Sequence, residues 1–235
     1  MASQHCSENQ VWAIVPAKRF SQAKSRLAAV LTTSERARLA RAMLHDVMTV
    51  LSSVDELAGI LVVSCDPAVA EAVRPFGAEI LNDVPETGVN DAVRAGLNAL
   101  SSQRMAGAMI VPGDVPFVTA AEVRDVLRAM EDRAVVLAPA LRDGGTNCLA
   151  MTYPYAIQPC FGDGSFSGHL TAARRMGATC EICHLDSLGH DIDCPDDLVA
   201  APRRSGSRTS DLLDELNLVH ARVGPPVLQS LGGQL

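Results

Sequence analysis

Short apolar runs that alternate with amphipathic stretches limit this chain to very few architectures. Residues 11–15, 59–64, 78–82 and 107–111 have the length and composition of strands. Between the first two, Thr32 and Glu35 stand at capping-box spacing ahead of Leu39, Met43, Val47, Val50 and Leu51, which recur at helical intervals. Residues 68–76 predict a short helix, and Ala92, Ala95, Gly96 and Ala99 carry another over residues 91–101. Parallel strands need crossover connections, and this alternation supplies them, so the expectation is an α/β fold with a mostly parallel sheet flanked by helices.

The pattern continues. Thr119 and Glu122 repeat the capping spacing, residues 134–141 and 148–153 read as strands joined by a turn, 165–176 as a helix and 179–185 as a strand, and Pro195 opens a further helix. With 235 residues, 48% hydrophobic and 20% charged, the chain can bury one large domain, expected over 11–202. Residues 1–10 are expected to be a flexible N-terminus. Residues 203–235 read as a flexible basic linker around Arg203, Arg204 and Arg208, then a tail with one amphipathic segment at 211–219.

Composition narrows the partners. A net charge of -7 offers no broad basic face for duplex nucleic acid, and 3% aromatics leave few platforms for stacking single strands, so no nucleic acid is expected. No apolar segment approaches the roughly 20 residues that span a bilayer, and the polar start lacks a signal pattern, so a cytoplasmic protein without a membrane partner is expected. Seven scattered cysteines suit reduced thiols. Cys180 and Cys183 stand three apart in an expected strand, on opposite faces, which argues against a metal or redox pair.

Against that acidic background, Lys18, Arg19, Lys24 and Arg26 follow the first strand, with no acidic residue between positions 11 and 34. Ligands of open parallel sheets sit beyond the carboxyl ends of the strands, so these cations are placed for an anion, phosphate above all; a solvated basic loop is the alternative. Glycine-rich phosphate motifs are absent, which leaves the grip to cationic side chains and whatever amides the loop exposes. Asp114, held in Pro112-Gly113-Asp114-Val115-Pro116 after a central strand, suits Mg²⁺ bridging phosphate oxygens, or is simply a turn residue. Asp191 and Asp193 project to one side of extended backbone, where their repulsion calls for a cation or a proton. Asp196 and Asp197 fall in a first helical turn, where the dipole accounts for them.

Two glycine-containing loops remain. Gly88 and Asn90 precede a helix and suit either ligand approach or capping. Gly144-Gly145-Thr146-Asn147 offers amides and a hydroxyl to an oxyanion, or is an ordinary hairpin. The loop from Cys160 to His169 is a second candidate anion site, with Ser165 as the expected helix cap and His169 one turn in, packed or solvent-facing rather than catalytic.

Four pieces in this order resemble one family: Val15-Pro16-Ala17-Lys18 with Ala23-Lys24-Ser25-Arg26-Leu27; Pro112 to Pro116; Gly145-Thr146-Asn147 with Phe161-Gly162, Ser165-Phe166 and His169; and Asp191-Ile192-Asp193 with Pro195 and Asp197-Leu198. Together they resemble, over residues 11–200, the CofC/FbiD guanylyltransferases, which join GMP to a phosphorylated three-carbon acid on the way to coenzyme F-420. The resemblance implies a GT-A-like nucleotidyltransferase fold and a Mg²⁺-dependent enzyme using GTP. It implies Lys18 and Lys24 on the triphosphate, with Arg26 beside them, and Gly88 and Asn90 on the nucleoside. Asp114, Asp191 and Asp193 are implied as magnesium ligands, and Thr146, Gly162 and Ser165 as contacts to the acceptor. Lys18, Lys24 and Asp114 would carry catalysis. Phosphoenolpyruvate, 2-phospho-L-lactate and 3-phospho-D-glycerate are the implied acceptors, and a homo-oligomer or a partner enzyme of the pathway stays open.

Arg19-Phe20 between the lysines and Asp143-Gly144 before Gly145 depart from the family pattern, so loop geometry near the acceptor can differ. A molybdenum-cofactor-like or sugar-phosphate nucleotidyltransferase is the competing enzyme reading; a non-catalytic nucleotide-binding module is the competing class.

Overall fold

The computed structural model describes residues 11–82, 87–101, 105–130 and 134–216. The expected N-terminal segment 1–10, positions 83–86 of the loop before Gly88, and the tail past 216 lie outside the described residues. Seven strands are present among them: β1 (Val11–Pro16), β2 (Leu57–Val63), β3 (Glu79–Leu81), β4 (Gly107–Ile110), β5 (Val135–Pro139), β6 (Thr146–Thr152) and β7 (Cys180–Ile182). They form one sheet in the order β3-β2-β1-β4-β6-β5-β7, parallel throughout except that β6 runs against both neighbours. The expected mixed, mostly parallel architecture is therefore present.

Helices α1 (Thr33–Leu51), α2 (Pro67–Val73), α3 (Val89–Ser101), α4 (Ala120–Met130), α5 (Ser165–Arg175), α6 (Pro195–Ala200) and α7 (Arg208–Glu215) cover the sheet. Alternation along the strands sorts the core into two layers. Ala13 and Val15 face one side with Leu39, Met43 and Val47 of α1, while Ile14 faces the other with Val93 and Leu97 of α3. The capping box of α1 forms as its spacing predicts: Glu35 N–H donates to Thr32 Oγ1 at 3.3 Å and Thr32 N–H to the Glu35 carboxylate at 2.7 Å. Cys180 packs in one layer and Cys183 in the other, so the two thiols are separated by the sheet.

Three expectations change. The strand expected over 179–185 shrinks to Cys180–Ile182, because β7 is an edge strand that pairs only with residues 135–137 of β5. The segment read as a flexible linker is tied down: Arg204 donates to the Phe117 carbonyl at 2.5 Å and to the Ser187 hydroxyl at 2.7 Å. The amphipathic segment expected from 211 begins at Arg208, because its start is fixed by a carboxylate on another helix. Asp46 of α1, only 7% exposed, accepts from Ser207 Oγ and the Arg208 and Thr209 amides at 2.8, 3.0 and 2.8 Å. A buried carboxylate without such donors would be strongly disfavoured. Leu212 and Leu213 then bury against the core, each stabilising by about 1.5–3 kcal/mol. No described helix is long and apolar enough to cross a membrane.

Candidate active site

The carboxyl ends of β1, β2 and β4 share one edge of the sheet. Because β6 runs the other way, its first residues, Thr146 and Asn147, start at that same edge. Loops there enclose a cleft of about 640 Å³. Ten of the eleven candidate residues line it: Lys18, Lys24, Arg26, Gly88, Asp114, Thr146, Gly162, Ser165, Asp191 and Asp193. Asn90 does not.

One wall is built of charges. After β1 the chain makes two 3-10 turns, Phe20–Gln22 and Ser25–Leu27, whose Phe20 and Leu27 anchor in the core. Between them Lys24 adopts a left-handed backbone, φ 54° and ψ 44°, a strain of about 1–2 kcal/mol for a residue with a Cβ. That turn sends its ammonium inward, 2.5 Å from Asp114 and 2.9 Å from Asp193, with 6% of the side chain exposed. Burial opposes the charge on Lys24, but Asp114 and then Asp193 outweigh it and hold its pKa above the usual lysine value. For Asp193, burial is likewise outweighed, by Lys24, then Arg26 and Lys18, and its carboxyl is held below the usual range. Arg26 reaches Asp193 at 3.0 Å from the exposed rim, and Lys18 lies exposed on the lip.

The acidic residues converge because their loops are splinted. Ile192 N–H donates to the Asp114 carbonyl at 3.1 Å and its side chain is buried, which turns Asp191 and Asp193 to the opposite side. Asp191 accepts from Asn147 Nδ2 at 3.3 Å; burial, then the nearby Asp114, push its carboxyl up to about 6. Asp197 does more than complement a helix dipole: it pairs with Arg142 and accepts from the Asp193 and Cys194 amides at 2.8 and 2.6 Å, fixing the backbone that carries Asp193. Sequence reasoning passed over this role, and also Asn147, although both residues sit inside the motifs it used.

Three carboxylates are a hard oxygen donor set, and Asp191 stands buried near Asp114 with its carboxyl raised by that burial and then by its neighbour's charge, so these residues suit a hard divalent cation. Among the described residues no group of three His, Cys, Asp or Glu is already gathered as a metal cage. Lys24 bridges two of the three aspartates instead.

The other wall is built mainly of uncharged groups, although Asp143 and Asp163 also line the cleft. Gly162 has φ +131° and open space where a Cβ would stand, so only glycine adopts this backbone without strain at the cleft surface. Ser165 is not the cap of α5: that position is Gly164, and the Ser165 hydroxyl instead lies 3.1 Å from the Thr146 hydroxyl. His169 is fully buried, with Nδ1 3.0 Å from Thr146 Oγ1 and Nε2 accepting from the Cys160 amide at 2.9 Å. Asn90, read as a nucleoside contact, turns away from the cleft because its amide clasps a backbone: Nδ2 donates to the Phe161 carbonyl at 2.9 Å and Oδ1 accepts from the Phe161 amide at 2.6 Å.

The family model described as guanylyl transferase CofC like matches residues 11–218. The chain belongs to this family. A phosphoenolpyruvate guanylyltransferase of Sphaerobacter thermophilus is 38% identical over 186 residues, 79% of this chain and 89% of the relative. A 3-phospho-D-glycerate guanylyltransferase of Phenylobacterium zucineum is 35% identical, covering 83% of this chain and 91% of that one. A 2-phospho-L-lactate guanylyltransferase of Methanothermobacter thermautotrophicus is also 35% identical, covering 79% and 81%. In fold, this CofC-like chain is similar to a candidate nucleotide-diphospho-sugar transferase from Desulfovibrio desulfuricans G20, with a TM-score of 0.74 at 15% identity over 90% of this chain and 97% of that one.

Proposed function

We propose that the chain transfers GMP from GTP to a small phosphorylated three-carbon acid in coenzyme F-420 biosynthesis, releasing pyrophosphate, with Mg²⁺ as cofactor. The observation that carries this reading is the buried Lys24 ammonium between Asp114 and Asp193, in a cleft that Thr146 and Ser165 also line. A cation locked between carboxylates at a sheet edge is a phosphate-handling arrangement, and relatives whose names specify guanylyl transfer to phosphoenolpyruvate, 3-phospho-D-glycerate or 2-phospho-L-lactate support the donor and the acceptor class.

The chemistry asks little of acid–base groups. An acceptor phosphate oxygen, already anionic, forms a bond to the α-phosphorus of GTP while the bond to the β-phosphate oxygen breaks, and pyrophosphate leaves with that electron pair. Lys18 and Lys24 are placed to receive charge that builds on the leaving group, and Arg26 steers phosphate from the rim. Asp114, Asp191 and Asp193 would hold Mg²⁺, which when bound neutralises phosphate charge. Gly88, also in the lining, gives the nucleoside close approach to backbone, and Thr146, Ser165 and the backbone at Gly162 receive the acceptor.

Purified protein incubated with GTP, Mg²⁺ and each of the three acceptors should release pyrophosphate with at least one of them. Folded protein that releases none sinks the reading, and preference for CTP, ATP or UTP over GTP would move it to another nucleotidyltransferase.

A further inference from the structure

We propose that His169, which does not line the cleft, is a positioning residue that aims a hydroxyl proton of the Thr146–Ser165 pair at an anionic oxygen of the acceptor; this rests on the acceptor reading of the hydroxyl wall. A backbone amide can only donate, so the His169 Nε2 that receives the Cys160 N–H at 2.9 Å carries the lone pair. Burial holds the ring neutral, its pKa lowered to about 4. A neutral imidazole has one N–H, which therefore lies on Nδ1 and donates to Thr146 Oγ1 at 3.0 Å.

The direction of the remaining bonds follows. Thr146 and Ser165, 5% and 3% exposed, hold two hydroxyl protons; one joins the pair across 3.1 Å and one is left. Since the imidazole donates into the pair, it cannot take that second proton. Both residues line the cleft, so the proton is presented there. With the opposite tautomer the pair would spend its spare proton on the ring and turn lone pairs to the cleft, repelling an anion. The wall thus offers a donor without a charge, and the Asn90 clasp on Phe161 keeps the neighbouring loop from shifting it.

Nitrogen-15 NMR on the full-length wild-type protein reads the tautomer directly, the His169 signals being identified among six histidines by their absence in His169→Asn. Protonated Nδ1 with bare Nε2 is expected at pH 7; the reverse overturns the proposal. Steady-state kinetics supply the second arm. Asparagine places an amide donor near the Nδ1 position, whereas glutamine reaches the Nε2 position and keeps only the grip on the Cys160 amide. In His169→Gln the acceptor KM should rise about tenfold with the GTP KM within about twofold of wild type, and His169→Asn should recover most of the loss. Equal behaviour of the two variants, or a parallel rise in both KM values, marks a merely structural histidine and overturns it. If the glutamine variant does not fold, the wild-type tautomer decides. Absence of wild-type turnover with any acceptor would fail the functional reading, whereas turnover without the tautomer or the KM split fails this inference alone.

Discussion

Around Lys24 the cleft wall consists of full charges that compensate one another; around Thr146 it consists mainly of hydroxyls and backbone, backed by an uncharged imidazole, with Asp143 and Asp163 also in the lining. Both walls suit anions, yet they differ in what they discriminate. Fixed opposite charges respond to the amount of charge that develops in a reaction, while neutral donors of fixed direction respond to where an oxygen stands. On the proposed reading the charged wall serves the triphosphate and its departing half, and the hydroxyl wall chooses the acceptor.

The largest expected effect tests the charged side. Asp114→Asn and Asp193→Asn should each lower turnover about 10²–10³-fold while the protein still folds, measured by pyrophosphate release. Wild-type rates in both would remove that wall from catalysis. Next, Thr146→Val should raise the acceptor KM about 10–100-fold while sparing the GTP KM, and a matching rise for GTP would break the division between walls.

Acid separates the walls further. The His169 pKa is lowered from 6.5 to about 4, so the unfolded chain binds the extra proton first: the stability from burying a neutral ring is present above about pH 6.5 and lost as pH falls toward 4. Asp193, whose pKa is lowered from 3.8, contributes stability above that value and loses it only at lower pH. Asp191, pushed up to about 6, shifts stability the other way over this range in wild type and variant alike, so urea titrations should show the wild type losing about 2 kcal/mol more than His169→Asn between pH 7 and pH 5. An identical fall in the variant would assign it elsewhere. The smallest effect belongs to the rim: Arg26→Gln should change the GTP KM less than about fivefold, since exposed ion pairs contribute about 1 kcal/mol or less.

Legibility in the sequence tracks how local each cause is. Two capping boxes, at Thr32 with Glu35 and at Thr119 with Glu122, form where their spacing places them, because both partners lie within one turn. Strand alternation is local too, and the carboxyl ends of strands bring Lys24, Asp114 and Asp193 to one edge. The insertion of antiparallel β6 between β4 and β5 is a long-range pairing that no short window encodes. Ser165 looked like a cap since serine before a helix usually is one; a buried hydroxyl 19 residues away claimed it instead. Asn90 met Phe161 across 71 residues, and nothing near Asp46 distinguished a buried anchor from a surface carboxylate.

That anchor has a consequence for how the protein is made. Asp46 and Thr209 are 163 positions apart, so α1 emerges from a ribosome on the order of ten seconds before the helix it fastens is synthesised. Until then neither the donors to its carboxylate nor Leu212 and Leu213 exist to complete the core, so this seam can close only after translation has passed the candidate-site motifs.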